Sequence, residues 1–213
     1  MIAHLMKKDF HINSFYYGFN ALLIPLFYVM GFTESYFFFV IMIHFLFNLF
    51  YFDHRNHVNR FISSLPVKLH HVVLSRYLYL LLFLIGFLLY VWLVDSIASK
   101  GLPYLTSQPI DALSITLLFT TICIVISLSM PIYYLVTSFN KAFVIQMGLL
   151  VFSTFAFSVT LGNDLITFHE PILSWFSNLI EIQPIIILVA ISLVCLYLSY
   201  LLSAWIYTKK AKV

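Results

Sequence analysis

The sequence predicts an all-α, polytopic membrane protein with six transmembrane helices and both chain termini on the same side of the membrane. Three observations lead to this prediction. The chain is very apolar, it contains six apolar stretches of spanning length, and the charges between those stretches alternate from one side to the other. Its 213 residues are predicted to form a single transmembrane domain, residues 1–213.

The composition excludes a soluble globular protein. Hydrophobic residues make up 62% of the chain and charged residues only 9%, whereas a soluble domain has roughly a quarter charged residues. A chain with so few charges cannot cover itself with a water-exposed surface. The surrounding solvent is therefore predicted to be lipid.

Six stretches are long and apolar enough to form membrane-spanning helices, which need about 17–25 residues because lipid satisfies no backbone polar group. They are Phe15–Phe32, Tyr36–Phe52, Tyr77–Val94, Ala112–Val136, Phe143–Leu161 and Pro184–Tyr207. Only Thr33, Glu34 and Ser35 separate the first two, which predicts a tight hairpin.

The charges predict the orientation of these spans. Ten of the eleven basic residues fall on one side and only Lys100 on the other. Six acidic residues fall on the Lys100 side: Glu34, Asp95, Asp111, Asp164, Glu170 and Glu181. Cytoplasmic loops are enriched in Lys and Arg, so we expect both termini in the cytoplasm and a multi-pass location in the cytoplasmic (inner) membrane.

Two further features concern the shape of the spans. Pro131 lies inside the fourth span and predicts a kink, with the freed carbonyl group satisfied by Ser127, Ser129 or a neighbouring helix. Between the fifth and sixth spans, residues 162–183 contain many apolar side chains, and Pro171 suits the first turn of a helix. This pattern predicts a short external helix that lies in the membrane interface.

Polar side chains inside the spans are the candidates for chemistry or for a substrate path. His44 and Asn48 lie four residues apart, on one helix face. Their HxxxN spacing resembles a motif of rhomboid proteases, but the nucleophilic serine motif and the histidine in the last span are missing. Interhelical hydrogen bonds are one interpretation of His44, Asn48, Asn20 and Gln146, and a polar substrate path is the other.

No other catalytic or cofactor motif occurs. The histidines form no metal-ligand pattern, and no Gly-rich phosphate loop is present. We therefore expect no enzymatic activity, no bound cofactor and no nucleic-acid partner. If ATP and Mg²⁺ drive this protein, a separate subunit binds them.

The segment from Asp53 to Arg76 is the only cytoplasmic loop long enough to form a structured contact. Its first part is apolar on one face, Leu65-Pro66 interrupts it, and a second helical part leads into the third span. Such a segment suits mechanical coupling to a soluble partner. The alternative is an amphipathic helix that only anchors the loop to the membrane.

The run Arg60-Phe-Ile-Ser-Ser-Leu-Pro-Val-Lys-Leu-His-His-Val-Val-Leu-Ser-Arg-Tyr-Leu78 resembles the signature that leads into the third helix of small type-2 ABC transporter permeases. The start, Leu5-Met-Lys-Lys-Asp-Phe10, resembles the amphipathic elbow helix of the same family, here residues 1–13. Within that family the chain is similar to the permease subunits of staphylococcal phenol-soluble modulin exporters and related antimicrobial-peptide exporters.

The resemblance implies an exporter of amphipathic peptides in a bacterial membrane. It implies two ATPase subunits and two permeases, either identical or paralogous, surrounded by membrane lipid. It also places the ATPase contact in segment 53–76. The implied coupling residues are Arg60, Phe61, Leu65, Pro66, Val67, Leu69, His70 and Arg76.

Two other functions are compatible with a polytopic membrane protein. A membrane immunity or regulatory protein would sequester a peptide without transporting it and would have no ATPase partner. An intramembrane enzyme would need two or three catalytic residues near one membrane face, and the sequence offers no such cluster.

Overall fold

Seven α-helices make up the part of the chain that the computed structural model describes, which is residues 2–32, 35–56, 68–101, 109–136, 138–161 and 183–210. In chain order they are α1 Ile2–Ile12, α2 Ser14–Val29, α3 Ser35–Arg55, α4 Leu69–Gly101, α5 Ala112–Leu135, α6 Phe139–Leu161 and α7 Pro184–Lys210. Within these ranges no residue is in a β-strand, in agreement with the predicted all-α class.

The helices from α2 to α7 run alternately up and down. An ion pair joins the end of α3 to the start of α4, and the Lys210 ammonium group at the end of α7 contacts the carbonyl groups at the end of α5. At the other end, Tyr28 of α2 contacts Asp95 of α4. We call the end that holds Asp53, Arg76 and Lys210 the basic end.

Five helices, α3 to α7, are long and apolar enough to cross a membrane, so the chain is a multi-pass membrane protein. The first predicted span corresponds to α2, which has only 16 residues. At 1.5 Å per residue it is about 24 Å long, somewhat less than the hydrocarbon core of roughly 30 Å. Six spans and a cytoplasmic basic end therefore stay predictions. The predicted interfacial helix, 162–183, lies outside the described residues except for its last one.

Helix α1 occupies the position of the predicted elbow helix and packs along α4. Leu5 contacts Val72 at the start of α4, and Asp9 and Asn13 follow at spacings of four residues, both buried. The helix ends at Asn13, whose side-chain amide donates to the carbonyl oxygen of Asp9 at 2.8 Å. A single turn residue thus separates α1 from α2.

The turn after α2 is a Schellman motif. Gly31 has φ of 80°, a left-handed conformation that glycine adopts without steric cost. The Phe32 amide donates to the carbonyl of Phe27 at 2.9 Å, and the Gly31 amide donates to that of Tyr28 at 3.0 Å. The rings of Phe27 and Phe32 also pack together. This motif directs the chain into the predicted hairpin between α2 and α3.

The two prolines inside the described helices, Pro25 and Pro131, have their freed carbonyl groups satisfied by a hydroxyl of a neighbouring helix. Pro131 leaves the carbonyl of Ser127 without its helical donor, and the Ser199 hydroxyl of α7 donates to it at 2.6 Å. Pro25 likewise frees the carbonyl of Ala21, which accepts from Tyr90 at 2.7 Å. The predicted role of a neighbouring helix at Pro131 is confirmed.

Helices α5 and α7 form the most extensive contact in the bundle, and small polar residues line it. Ser192, Ser199 and Ser203 of α7 are buried, as are Thr116 and Thr120 of α5. Small side chains allow two helix backbones to approach closely in a membrane. Helix α6 packs much less against the rest of the bundle, and few of its residues are buried. Its exposed apolar side chains suit contact with lipid.

At the end opposite the basic end, Asp95 holds three segments together. Its carboxylate accepts from the Tyr28 hydroxyl at 2.9 Å and from the Ile110 amide at 2.7 Å. Nearby, Asp111 caps the start of α5 and accepts from the Ser114 amide at 3.0 Å. Hydrogen bonds from the Ser114 side chain and backbone hold the pKa of the Asp111 carboxyl below its usual range.

Candidate functional site

A buried ion pair lies at the basic end. The Arg76 guanidinium of α4 pairs with the Asp53 carboxylate of α3, and each residue is only 4% exposed. Asp53 lies near the end of α3, and Arg76 lies two turns into α4. The pair therefore joins the two helices at either end of residues 57–67, the central part of the predicted coupling segment.

Aromatic rings surround this ion pair. The Arg76 guanidinium lies 5.8 Å from the centre of the Phe50 ring, which stacks on Tyr133 of α5 at 3.9 Å. Tyr134 of α5 packs against Tyr207 of α7, with their ring centres 5.2 Å apart. Phe50, Tyr133, Tyr134 and Tyr207 thus connect the pair to α5 and α7.

A cavity of about 290 Å³ opens beside the pair. Its walls come from α3, α4, α5, α6 and α7 and from the link between α5 and α6. The lining residues are Phe50, Asp53, His54, Arg76, Tyr133, Tyr134, Val136, Phe139, Tyr207 and Lys210. We call it the basic-end cavity. Five of the seven helices thus contribute to one small polar space.

The N-terminal helix adds further charge next to this cavity. The Asp9 carboxylate of α1 is 1% exposed and interacts electrostatically with both Asp53 and Arg76. The ammonium group of Lys8 lies 2.8 Å from an Asp9 oxygen. Charges from three helices, α1, α3 and α4, therefore form one network.

The buried ion pair makes separation of α3 and α4 at this end energetically costly. Removing one partner of a buried ion pair costs about 3–5 kcal/mol, because the remaining charge is left without compensation. Stretching the pair carries part of the same cost. Asp53 and Arg76 therefore resist separation and hold α3 and α4 together at this end.

The structure describes three of the eight predicted coupling residues. Leu69 is half-buried and His70 is exposed at the start of α4, where both are accessible to a partner. Arg76 is buried, and its guanidinium contacts groups of its own chain. The other five lie outside the described residues: Arg60, Phe61, Leu65, Pro66 and Val67.

Two of the four candidate path residues make a hydrogen-bonded group with α2. The Asn48 amide nitrogen lies 2.8 Å from the His44 ring nitrogen, and the Asn48 oxygen accepts from the Tyr16 hydroxyl at 2.8 Å. Gln146 of α6 is also buried and donates to the Ser129 hydroxyl of α5. The Asn48–Tyr16 and Gln146–Ser129 bonds are interhelical, as one interpretation of the sequence expects, whereas the His44–Asn48 contact lies within α3.

Asn20 lies elsewhere, in an apolar groove of about 660 Å³ between α1, α2 and α4. His44 and Asn48 line a separate groove of about 530 Å³ between α3 and α6. The candidate path residues therefore face different sides of the chain and do not meet along one route within a single copy.

Sequence reasoning missed the partner of Arg76. Asp9 and Asp53 are the two acidic residues among the eight that fall on the basic side of the predicted topology, and the structure buries both of them. The presence of these two acidic residues on the otherwise basic side was the sequence signal that could have identified the partner of Arg76. Within the described residues, no group of three or more His, Cys, Asp or Glu side chains could hold a metal ion.

Comparison with known proteins gives one finding. The family model described as "ABC-2 family transporter protein" matches residues 2–208 of the chain. No curated protein and no solved structure matches it significantly. The matched range begins with α1 and ends in the last turn of α7.

Proposed function

Because the chain belongs to the ABC-2 transporter family, we propose that it is the membrane subunit of an ATP-driven exporter of amphipathic peptides. The family implies an ABC ATPase partner in general. In our proposal two copies of that ATPase bind Mg²⁺ and ATP, and two permease copies, identical or paralogous, form the path across a bacterial cytoplasmic membrane. The basic end faces the cytoplasm and the ATPases.

The observation that carries the proposed coupling is the ion pair between Asp53 and Arg76. It joins the two helices that flank residues 57–67, where we place the ATPase contact. A push on this segment would reach α3 and α4 together. Phe50 and Tyr133 would pass it to α5 through their stacked rings. Such a rigid connection suits a change between two packings of the bundle.

The apolar grooves support an amphipathic substrate. The groove between α1, α2 and α4 is lined mainly by aromatic and aliphatic side chains, with Asn20 and the hydroxyl groups of Tyr17, Tyr79 and Tyr90 among them. An apolar wall with a few polar groups matches a helix that has one apolar and one polar face. We propose that the peptide passes between two copies of the chain along such grooves.

A substitution in the coupling segment tests the assembly. Burying one large apolar side chain is worth about 1.5–3 kcal/mol, so Phe61→Ala/Leu65→Ala should weaken ATPase binding by two or more orders of magnitude. The measurement is co-purification of the permease with its ATPase, together with peptide export in reconstituted vesicles.

The matched control is Phe168→Ala/Ile172→Ala, on the predicted external side, which should leave co-purification unchanged. If the Phe61→Ala/Leu65→Ala variant keeps its ATPase and its export activity, the segment is a membrane anchor and the coupling model is wrong. If the wild-type chain retains a peptide in the membrane and no ATPase co-purifies with it, the protein is a membrane immunity or regulatory subunit.

A further inference from the structure

The basic-end cavity contains buried donor groups that have no acceptor. Arg76 Nη2 and the hydroxyl groups of Tyr133 and Tyr134 are buried and lack a hydrogen-bond partner among the described residues. All three residues line the cavity. A buried polar atom without a hydrogen-bond partner is destabilising, so three such donors in one cavity indicate a missing acceptor.

The charge balance at this site favours an anion. Arg76 and Lys8 are offset by Asp53 and Asp9. Lys210 also lines the cavity, and its ammonium group contacts only the carbonyl oxygens of Tyr134 and Leu135 among the described residues, at 3.3 and 3.2 Å. One positive charge is therefore left over, next to donors that need an oxygen acceptor.

The size and the walls of the cavity suit more than a single water molecule. Its volume of about 290 Å³ is many times what one water needs. One part of its lining is polar, and Phe50, Val136 and Phe139 form an apolar part. A ligand with an anionic oxygen group next to a hydrocarbon portion would match both parts.

The position of the cavity in the bundle identifies a source for such a ligand. Its lining residues come from the end of α3, the link between α5 and α6, and the end of α7. The ends of spanning helices lie at the depth of the lipid headgroups. A membrane supplies a phosphate group with attached hydrocarbon chains at that depth.

We propose that the basic-end cavity binds the phosphate group of a phospholipid. Arg76 Nη2 and the hydroxyls of Tyr133 and Tyr134 donate to the phosphate oxygens, and Lys210 supplies the compensating charge. A bound lipid would connect α4, α5 and α7 at the level of the Asp53–Arg76 pair. This inference concerns ligand binding and does not depend on the proposed peptide transport.

The test uses the purified full-length chain, stripped of lipid in detergent. Dihexanoyl-phosphatidylglycerol should raise the melting temperature in a saturable way, and native mass spectrometry should show one lipid bound per chain. Each charge-assisted hydrogen bond contributes about tenfold in affinity, so Tyr133→Phe/Tyr134→Phe should bind the lipid at least tenfold more weakly.

Tyr197→Phe is the matched control, because Tyr197 is 61% exposed on α7 and should leave lipid affinity unchanged. Lys210→Gln should reduce the preference for phosphatidylglycerol over dihexanoyl-phosphatidylcholine, since both carry the phosphate and only the first is an anion. The Phe variants keep the rings, and their melting temperature without lipid reports whether the bundle is intact.

Two results would overturn the proposal. One is equal lipid binding by the wild type and the Tyr133→Phe/Tyr134→Phe variant, which would place the lipid elsewhere on the protein. The other is binding of inorganic phosphate without binding of either phospholipid, which would make the cavity a site for a free anion.

Discussion

At the scale of single residues, the charges at the basic end divide into an exposed set and a buried set. Lys68, His70 and Lys209 are exposed and can meet water, headgroups or a partner. Asp53 and Arg76 are buried, and their charges are compensated within the chain. A charge placed at the end of a span can therefore act on the outside or hold the bundle together, depending on its burial.

The first prediction at this scale concerns the ion pair. Arg76→Leu should lower the free energy of unfolding by about 3–5 kcal/mol, because it leaves the Asp53 carboxylate buried without a counter-charge. Asp53→Leu should lower the free energy of unfolding by a similar amount, because it leaves the Arg76 guanidinium buried without a counter-charge. The double variant Asp53→Leu/Arg76→Leu should recover most of the loss. Chemical denaturation of the detergent-solubilised protein measures all four species.

The control for this cycle is Arg55→Leu, at an exposed residue on α3, which should change stability by well under 1 kcal/mol. An additive double variant, as unstable as the sum of the two singles, would show that Asp53 and Arg76 do not act as a pair.

The sequence could not separate these two kinds of charge. Arg76 follows a basic loop, so hydropathy and the charge pattern place it at the membrane surface in either case. Its burial depends on Asp53, on Phe50 and on α5 and α7, whose approach to α4 is a property of tertiary packing. The sequence did show that Arg76 directly precedes a long apolar run.

At the scale of helices, side-chain hydroxyl groups connect neighbouring helices at sites where a helical backbone hydrogen bond is missing. Ser199 of α7 replaces the donor that Pro131 lacks, and Tyr77 of α4 contacts the same Ser199 hydroxyl at 2.6 Å. Three helices, α4, α5 and α7, thus meet at one backbone carbonyl, that of Ser127.

The prediction at the helix scale is a double-mutant cycle on this contact. Ser199→Ala should cost about 1–2 kcal/mol, since it leaves the carbonyl of Ser127 without a donor inside the bundle. In a Pro131→Ala background the restored amide can bond to that carbonyl, so the same Ser199→Ala change should cost clearly less. Thermal unfolding in detergent reports both values.

Ser153→Ala is the control, because Ser153 is an exposed residue of α6 whose hydroxyl bonds only within its own helix. An equal cost of Ser199→Ala in the wild-type and Pro131→Ala backgrounds would mean that Ser199 stabilises α7 through packing alone. The role we assign to its hydroxyl would then be wrong.

Hydropathy predicted some helix ends closely and missed others for a physical reason. The predicted starts at Ala112 and Pro184 coincide with the observed starts of α5 and α7. Helix α6 starts at Phe139, one turn before the predicted Phe143, whereas α4 starts at Leu69, within the helical part predicted to lead into the third span. An apolar window detects the apolar part of a helix, whereas the first turn of α6 contains the polar residues Asn140 and Lys141.

At the scale of the whole molecule, the bundle has a packed side and an open side. The core connects α2, α3, α4 and α5, and α7 packs against α5 and α4. Helix α6 presents exposed Val151, Phe152 and Phe155. A single copy also carries separate apolar grooves. Both features fit a subunit that completes its transport path with a second copy, as we propose.

The last prediction is the topology of the molecule, and it depends on whether α2, the shortest of the six helices at the predicted spans, crosses the membrane. Helix α2 has 16 residues, slightly fewer than the roughly 17–25 of a typical span. Only Asn13 separates it from α1. If α2 crosses the membrane, His11, an exposed residue at the end of α1, lies inside the cell and Glu34 lies outside. We expect a membrane-impermeant thiol reagent to label Glu34→Cys in intact cells. His11→Cys should be labelled only after the cells are opened, as should the internal references Lys141→Cys and Lys212→Cys.

The experiment needs a background without the native thiols at Cys123 and Cys195, which both lie inside spans. Cys123 is fully buried, so the Cys123→Ala/Cys195→Ala parent is first checked for an unchanged melting temperature. Lys100→Cys serves as the external reference, because it lies at the end of α4 opposite the basic end. Labelling of His11→Cys in intact cells, together with labelling of Lys100→Cys, would show that α2 does not cross, and the chain would then have five spans with its termini on opposite sides.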